Sequence, residues 1–291
     1  MKHFVMCTYN ILGVEYMNGN DFPMLKKDLV YFDNAATTFK PYRVINKMNE
    51  YYFDYNANSH RGDYDISFKV DDEIDYTRDL VKCFINARRK EEIIFTRNTT
   101  DSINTIVFGY FLNNLDSKDE IIISSSEHAS NILPWLILSI KKNVKVVFVD
   151  SVNEKLNIND LVSKINSKTK VISLAQVTNV SGDVRDIKKI VSIAHKYGIL
   201  VVVDAAQSAP HMKIDVSDMD ADFLAFSAHK MCGPTGLGIL YGKSELLNKM
   251  IPYSYGGGMN ETYDENRLKL LPLPYRFEAG TPNLSAIVGF S

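Results

Sequence analysis

Seven short apolar runs, separated by polar and amphipathic stretches, constrain this chain more than any other feature. They read EIIFT (92–96), EIIISS (120–125), VKVVFVD (144–150), KVISLAQ (170–176), ILVVVD (199–204), DFLAFS (222–227) and GLGILYG (236–242). All are rich in β-branched residues and nearly continuous, as strands are when a mainly parallel sheet buries both of its faces. Helical spacing lies between several of them. Ile103, Ile106, Val107, Tyr110 and Phe111 fall at i, i+3, i+4, i+7 and i+8 within 101–114, and Ile187, Ile190, Val191 and Ala194 repeat the pattern within 186–197. Strand–helix alternation of this kind implies an α/β fold with a mainly parallel seven-stranded sheet flanked by helices. About nine residues join the last two runs, too few for a helical crossover, so the final strand is expected to run antiparallel to the sixth.

Composition narrows the setting. A hydrophobic share of 45% and a charged share of 23% over 291 residues are those of a globular chain that can bury a large core. A net charge of −2 argues against nucleic acid or an anionic membrane as the main partner. No apolar run reaches the roughly 18 residues of a membrane span. The opening MKHFVMCTYNILGVEYMNGN lacks the apolar core and cleavage site of a signal peptide. Residues 1–20 are therefore expected to be a poorly ordered arm, with Met17 as an alternative start. Residues 21–280 would form one large domain, and 281–291 would begin a helix. Cys7, Cys83 and Cys232 are odd in number and far apart, which argues against a disulfide framework and for a reducing, cytoplasmic setting. No cysteine or histidine spacing suits a metal.

Open α/β sheets bind ligands beyond the carboxyl ends of their strands. The polar residues at those ends are TRNTTDS, SSEHAS, VTNVSG, DAAQ and SAHK. They offer Thr99, Thr100, Glu127, His128, Asn179, Asp204, Gln207, Ser227, His229 and Lys230 to one cleft. Taken singly, each has a plain structural reading: Asn98 or Thr99 as a helix cap, Asp204 and Lys230 as a salt bridge. Taken together they suit a ligand with a phosphate, a cationic ring nitrogen and an aldehyde. Thr99 and Thr100 at a helix start would hold the phosphate. Asp204, ending an apolar strand, would face the ring nitrogen, and the amine of Lys230 would form an imine with the aldehyde. That ligand is pyridoxal 5′-phosphate, an electron sink at an amino acid's α-carbon. No GxGxxG follows the first strand and no GxxxxGK[ST] is present, so a nucleotide-binding α/β protein is the poorer alternative.

The stretches DAAQ, SAHK and GPTGLGILYG resemble the signature of class V, fold-type I pyridoxal-phosphate enzymes, and within them the cysteine desulfurases of the SufS and selenocysteine-lyase type. DFPMLKKDLVYFDNAATTFKP (21–41), NSHRG (58–62), EHASNILPW (127–135), VTNVSGDVRDI (177–187) and RFEAGTPN (276–283) extend the likeness over about residues 21–291. The resemblance implies that Lys230 anchors the cofactor and shuttles protons. It further implies that Asp204 pairs with the ring nitrogen, that Gln207 donates to the phenolic oxygen, and that His128 stacks on the ring. Thr99, Thr100, Ser227 and His229 would hold the phosphate, and Asn179 would lie near the phenolic oxygen and the substrate. Thr281 would reach the phosphate of a neighbouring subunit in a homodimer with shared active sites. Asn34, Ala35, His60 and Arg61 would stand on the substrate side. A second histidine frequent after HRG in that family is replaced by Asp63 and Tyr64 here, which weakens the likeness on that side.

The implied reaction converts L-cysteine to L-alanine and passes sulfur to an enzyme thiol as persulfide, for a sulfur-acceptor protein and iron–sulfur cluster assembly. Members of that family continue for about another hundred residues, which carry the nucleophilic cysteine and the arginine for the substrate carboxylate. None of the three cysteines here matches that nucleophile: Cys232 stands where the family has a noncatalytic residue, and Cys83 reads as core. The chain is thus expected to end inside a helix begun by TPNLSAIVGFS and capped by Asn283 or Ser285, with no glycine cap. It would bind the cofactor but lack persulfide chemistry, and would expose apolar surface. Another class V activity (aminotransferase, selenocysteine lyase or epimerase) and an inactive pyridoxal-phosphate-binding relative remain the alternatives.

Overall fold

Each apolar run becomes a strand. In the computed structural model, which describes residues 18–27, 29–59 and 62–291, they are β1 (Ile93–Thr96), β2 (Glu120–Ser124), β3 (Lys145–Val149), β4 (Thr169–Ala175), β5 (Leu200–Asp204), β6 (Phe223–Ser227) and β7 (Gly238–Gly242). They form one sheet in the order β1-β7-β6-β5-β4-β2-β3. The pairs from β6 through β5, β4 and β2 to β3 are parallel, while β7 runs antiparallel to both β1 and β6, as the short connection requires.

Continuous apolar character pays off because successive side chains enter two different cores. Val201, Val203, Leu224 and Phe226 face one layer; Val202, Phe223 and Ala225 face the other. The first layer is covered by α1 (Tyr42–Asp54), α2 (Asp65–Phe84), α6 (Ile187–His195) and α7 (Leu284–Val288), and α5 (Ile158–Lys164) adds Leu161 to it. The second is covered by α3 (Thr99–Ile106) and α4 (Leu133–Lys142). The helix expected over 101–114 is interrupted: α3 passes into a π turn at Val107–Phe111 before Leu112–Asn114. There the carbonyl of Gly109 accepts the amide of Ile251 at 2.9 Å, an outside partner that competes with the helical ladder.

Two expectations need correction. Asn283 caps α7 by accepting the Ala286 amide, but a glycine does follow: Gly289 is the C-cap residue, in right-handed conformation. Glycine is needed there for close approach, since a Cβ would stand 2.5 Å from Cγ of Met48. Cys83 is not a core thiol either; it lies half-buried on α2, and Cys232 is free. Cys7 lies outside the described residues. Phe53, Phe68 and Tyr52 on α1 and α2 are exposed, as are Leu133, Ile137 and Ile140 on α4. No helix among the described residues is long and apolar enough to cross a membrane.

A buried ion pair joins the C-terminal segment to the sheet. Both terminal guanidinium nitrogens of Arg78, Nη1 and Nη2, donate to the carboxylate of Glu278, at 2.8 and 2.9 Å, and Nη1 also donates to the carbonyl of Ile93 at 2.7 Å. Glu278 accepts the amide of Phe95 at 2.8 Å. The two side chains are 1% and 9% exposed, so removing one strands the other in a low dielectric. Glu278→Leu is expected to lower stability by about 3–5 kcal/mol, and Arg78→Met with Glu278→Leu by clearly less. Urea denaturation of the single and double variants measures both.

Candidate active site

Along the carboxyl ends of β2, β4, β5 and β6 lies a cleft of about 500 Å³. Thr99, Thr100, His128, Asn179, Asp204, Gln207, Ser227, His229 and Lys230 all line it, together with Asp33, Ala35, Ala36, Asn98, Ser130, Ala175, Val177 and Ala206. Nine of the ten residues expected to hold the cofactor therefore meet in one place. The tenth, Thr281, is exposed and does not line the cleft. On the substrate side, Ala35 and Asn179 line the cleft, Asn34 is exposed in the turn beside it, and His60 and Arg61 lie outside the described residues.

The wall is built by contacts that use part of each polar group. Asp204, 3% exposed at the end of β5, accepts the Ala206 amide at 2.9 Å. Burial is the main cause that pushes its carboxyl up to about 6; the Glu127 charge adds to this, and the Ala206 amide, Lys230 and Arg185 oppose it. Lys230 follows β6 in a short turn. Burial pulls its ammonium below the ordinary lysine value, against the attraction of Asp204. The two groups sense each other across the cleft, yet no salt bridge joins them among the described residues. The simple structural reading, a direct Asp204–Lys230 pair, is therefore not realised.

At the other end, Ser227 accepts the Thr99 amide at 2.7 Å and lies 2.6 Å from its hydroxyl. That contact requires β7 to pass close beneath the turn: a Cβ on Gly238 would stand 2.5 Å from the backbone of Asn98. Asn98 caps α3 by accepting the Asp101 amide at 2.9 Å, and with the Thr99 amide on Ser227 the Thr100 amide is the one of the first three helical N–H groups left for the cleft. Gln207 donates to the carbonyl of Ala35 at 2.7 Å, which ties the N-terminal segment across the opening.

The same segment fixes the lysine turn. The carbonyl of His229 accepts from the Thr38 amide and hydroxyl, the Thr37 hydroxyl and the Lys40 ammonium, all at 3.0–3.1 Å. Thr38 Oγ1 in turn accepts the Cys232 amide at 2.8 Å. Sequence reasoning missed these roles; the adjacent hydroxyls and lysine of TTFK were the available signal. Glu127, expected on the cleft, does not line it and instead forms the floor of the site. Glu127, buried beneath β2 and β4, accepts from Ser124 at 2.6 Å, Asn131 at 2.8 Å, the Ala175 amide at 2.7 Å and the Arg185 guanidinium. Arg185 further donates to Ser124, Ser126, the Ala175 carbonyl and Asp183. Nothing in the spacing of Glu127 and Arg185 announced that they would pair. Among the described residues no group of acidic, histidine and cysteine side chains is arranged to hold a metal.

A seven-stranded α/β sheet with a lysine and a carboxylate on one cleft at its strand ends defines a class of protein, and comparison with known proteins identifies it. The chain belongs to the aminotransferase class-V family, whose pattern matches residues 30–291. It is 43% identical over 277 residues to a probable cysteine desulfurase of Staphylococcus aureus, covering 93% of this chain and 67% of that protein. Its fold is similar to the cysteine desulfurase CsdA of Escherichia coli, at 36% identity and a TM-score of 0.88 over 94% of this chain and 70% of that one. It is similar also to the cysteine desulfurase of Thermococcus onnurineus NA1, at 38% identity and a TM-score of 0.89 over 93% and 67%.

The raised pKa of Asp204 has a sign that can be measured. The folded state prefers the neutral carboxyl, so this contribution to stability is present below pH ~4 and is lost as pH rises through about 6. Between those values the ligand-free protein is expected to lose on the order of 2–3 kcal/mol at this site. Asp204→Asn should therefore be more stable than the parent at pH 8 and lose that advantage at pH 4, as read by chemical denaturation at both values.

Proposed function

We propose that this chain carries the pyridoxal 5′-phosphate site of a cysteine desulfurase acting on L-cysteine. The observation that carries the reading is the placement of Lys230 and Asp204 in one cleft, electrostatically coupled but not paired. A buried carboxylate without its own cation is costly. A protonated ring nitrogen would stabilise its charged form. The donor set fits the remaining groups: Thr99, Thr100, Ser227 and His229 for a phosphate, Gln207 and Asn179 for a phenolic oxygen, and His128 for a ring face.

When bound, pyridoxal phosphate supplies the electron sink that lets an amino acid lose its α-proton. The protein's residues would do the rest. Lys230, pulled below its ordinary value, spends more time as a free amine, the form that attacks a carbonyl carbon and accepts a proton. Asp204 orients and holds the ring nitrogen. His128, also pulled down by burial and by Lys230, stays neutral at the ring face. The Lys40 and threonine clamp on the His229 carbonyl sets the direction from which the amine approaches. Among the described residues lining the cleft there is neither a cysteine to receive sulfur nor an arginine to bind a carboxylate. For residues 1–291 the reading accordingly covers cofactor binding and proton handling. Thr281, exposed three residues beyond the Glu278 that pairs with Arg78, suits a contact with a second copy in a homodimer.

Incubated with pyridoxal 5′-phosphate and reduced with borohydride, the chain is expected to gain one pyridoxyl group, and peptide mass mapping should place it on Lys230. Lys230→Ala should lose the label. Labelling that persists in that variant, or lands on Lys40, would overturn the assignment.

A further inference from the structure

Ser130 lines the cleft, yet neither the strand-end motifs nor the proposed chemistry uses its hydroxyl. It sits in the short turn Ala129–Asn131, two residues after His128. Its amide donates to Nδ1 of His128 at 3.1 Å, and its Oγ stands 2.9 Å from the same nitrogen. On the other side, Oγ lies 2.7 Å from Oγ1 of Thr100.

Hydrogen-bond valence gives this chain a direction. An amide N–H only donates, so Nδ1 carries the lone pair and the proton of the neutral ring sits on Nε2. Burial and the Lys230 charge both favour that neutral ring. A serine hydroxyl next to a lone pair donates its one proton there. Its oxygen is then left to accept, and Thr100 is the donor. In the ligand-free site the order is Thr100 O–H to Ser130 O–H to His128 Nδ1.

We infer that Ser130 is a positioning residue that couples His128 to an anion bound at Thr99 and Thr100. The inference rests on the reading of those threonines as the phosphate site. A phosphate oxygen is a stronger acceptor than a serine hydroxyl, because it is charged. Once Thr100 donates to it, the lone pairs of Thr100 Oγ1 turn to Ser130. Ser130 then donates to Thr100, and Nδ1 keeps only the backbone donor. No proton changes its heavy atom; two hydroxyls rotate. Anion occupancy thus reaches the lone pair of a ring that faces the reacting centre.

The test uses the ligand-free chain labelled with 15N, titrated with inorganic phosphate. The amides of Thr99 and Thr100 report the anion, and Nδ1 of His128, assigned by its absence in His128→Gln, reports the coupling. In the parent protein both should shift, with Nδ1 moving towards the position of an unbonded imidazole lone pair. In Ser130→Ala the amides should still shift while the Nδ1 response is mostly lost, and Ser130→Thr should restore it. A protonated Nδ1 in the ligand-free protein overturns the proposal, as does an Nδ1 response that survives Ser130→Ala. If phosphate moves neither amide, the phosphate-site reading itself fails and the coupling with it. The amide spectrum separates that failure from the others.

Discussion

A carboxylate buried without a cation of its own governs this structure. Asp204 ends the most apolar strand of the sheet, in contact with one backbone amide and opposite a lysine that does not reach it. Its burial follows from its place: β5 lies in the middle of a sheet covered on both faces, so whatever ends it stands at the bottom of the cleft. Under the proposed function, a cationic ligand would recover that loss. Stability and binding are here opposite readings of one unpaired charge.

The other wall residues follow a related plan. Each commits one hydrogen-bonding group to the protein and keeps another for the cleft. Gln207 gives one amide hydrogen to Ala35 and retains a second. His128 gives its Nδ1 lone pair to Ser130 and keeps Nε2–H. Ser227 accepts the Thr99 amide, shares a second bond with the Thr99 hydroxyl, and retains one further hydrogen-bonding capacity. The inner bond fixes the rotamer, so the free group is aimed before a ligand comes. Binding then orders little that is not already ordered, which is how a polar site gains affinity and rate without flexible reach.

The fold was legible to a high degree because it rests on periodicity. Continuous apolar runs such as ILVVV and DFLAF occur when both faces of a strand are buried, and no competing local signal disturbed them. The strand-end residues were legible for a topological reason: a parallel sheet brings every carboxyl end to one edge, so residues as distant as Thr99 and Lys230 must converge. What escaped was everything set by packing between non-adjacent segments. The clamp on the His229 carbonyl joins residues about 190 apart in the chain, and Thr37 or Lys40 looks like any loop residue until that loop is placed. The π turn after α3 depends on a backbone bond from Ile251. Gly289 escaped because its requirement is a close approach to Met48 on another helix, not a backbone angle.

Glu127 and Arg185 show why such hidden contacts matter. A pair of charges this deeply buried is weak evidence for stability, since well-packed apolar residues often do as well. The geometry it enforces is another matter. Glu127 holds the amide of Ala175 and Arg185 holds its carbonyl, so both polar groups of the residue beside Asp204 are fixed from below. Glu127 is bonded in sequence to His128, and Arg185 reaches Asp183, which closes the loop that carries Asn179. One ion pair thereby sets the relative positions of three walls of the cleft. An apolar replacement could match its packing but would leave those amides and carbonyls unsatisfied and the walls free to shift. The pair is better understood as fixing a single arrangement of the site than as strengthening the fold.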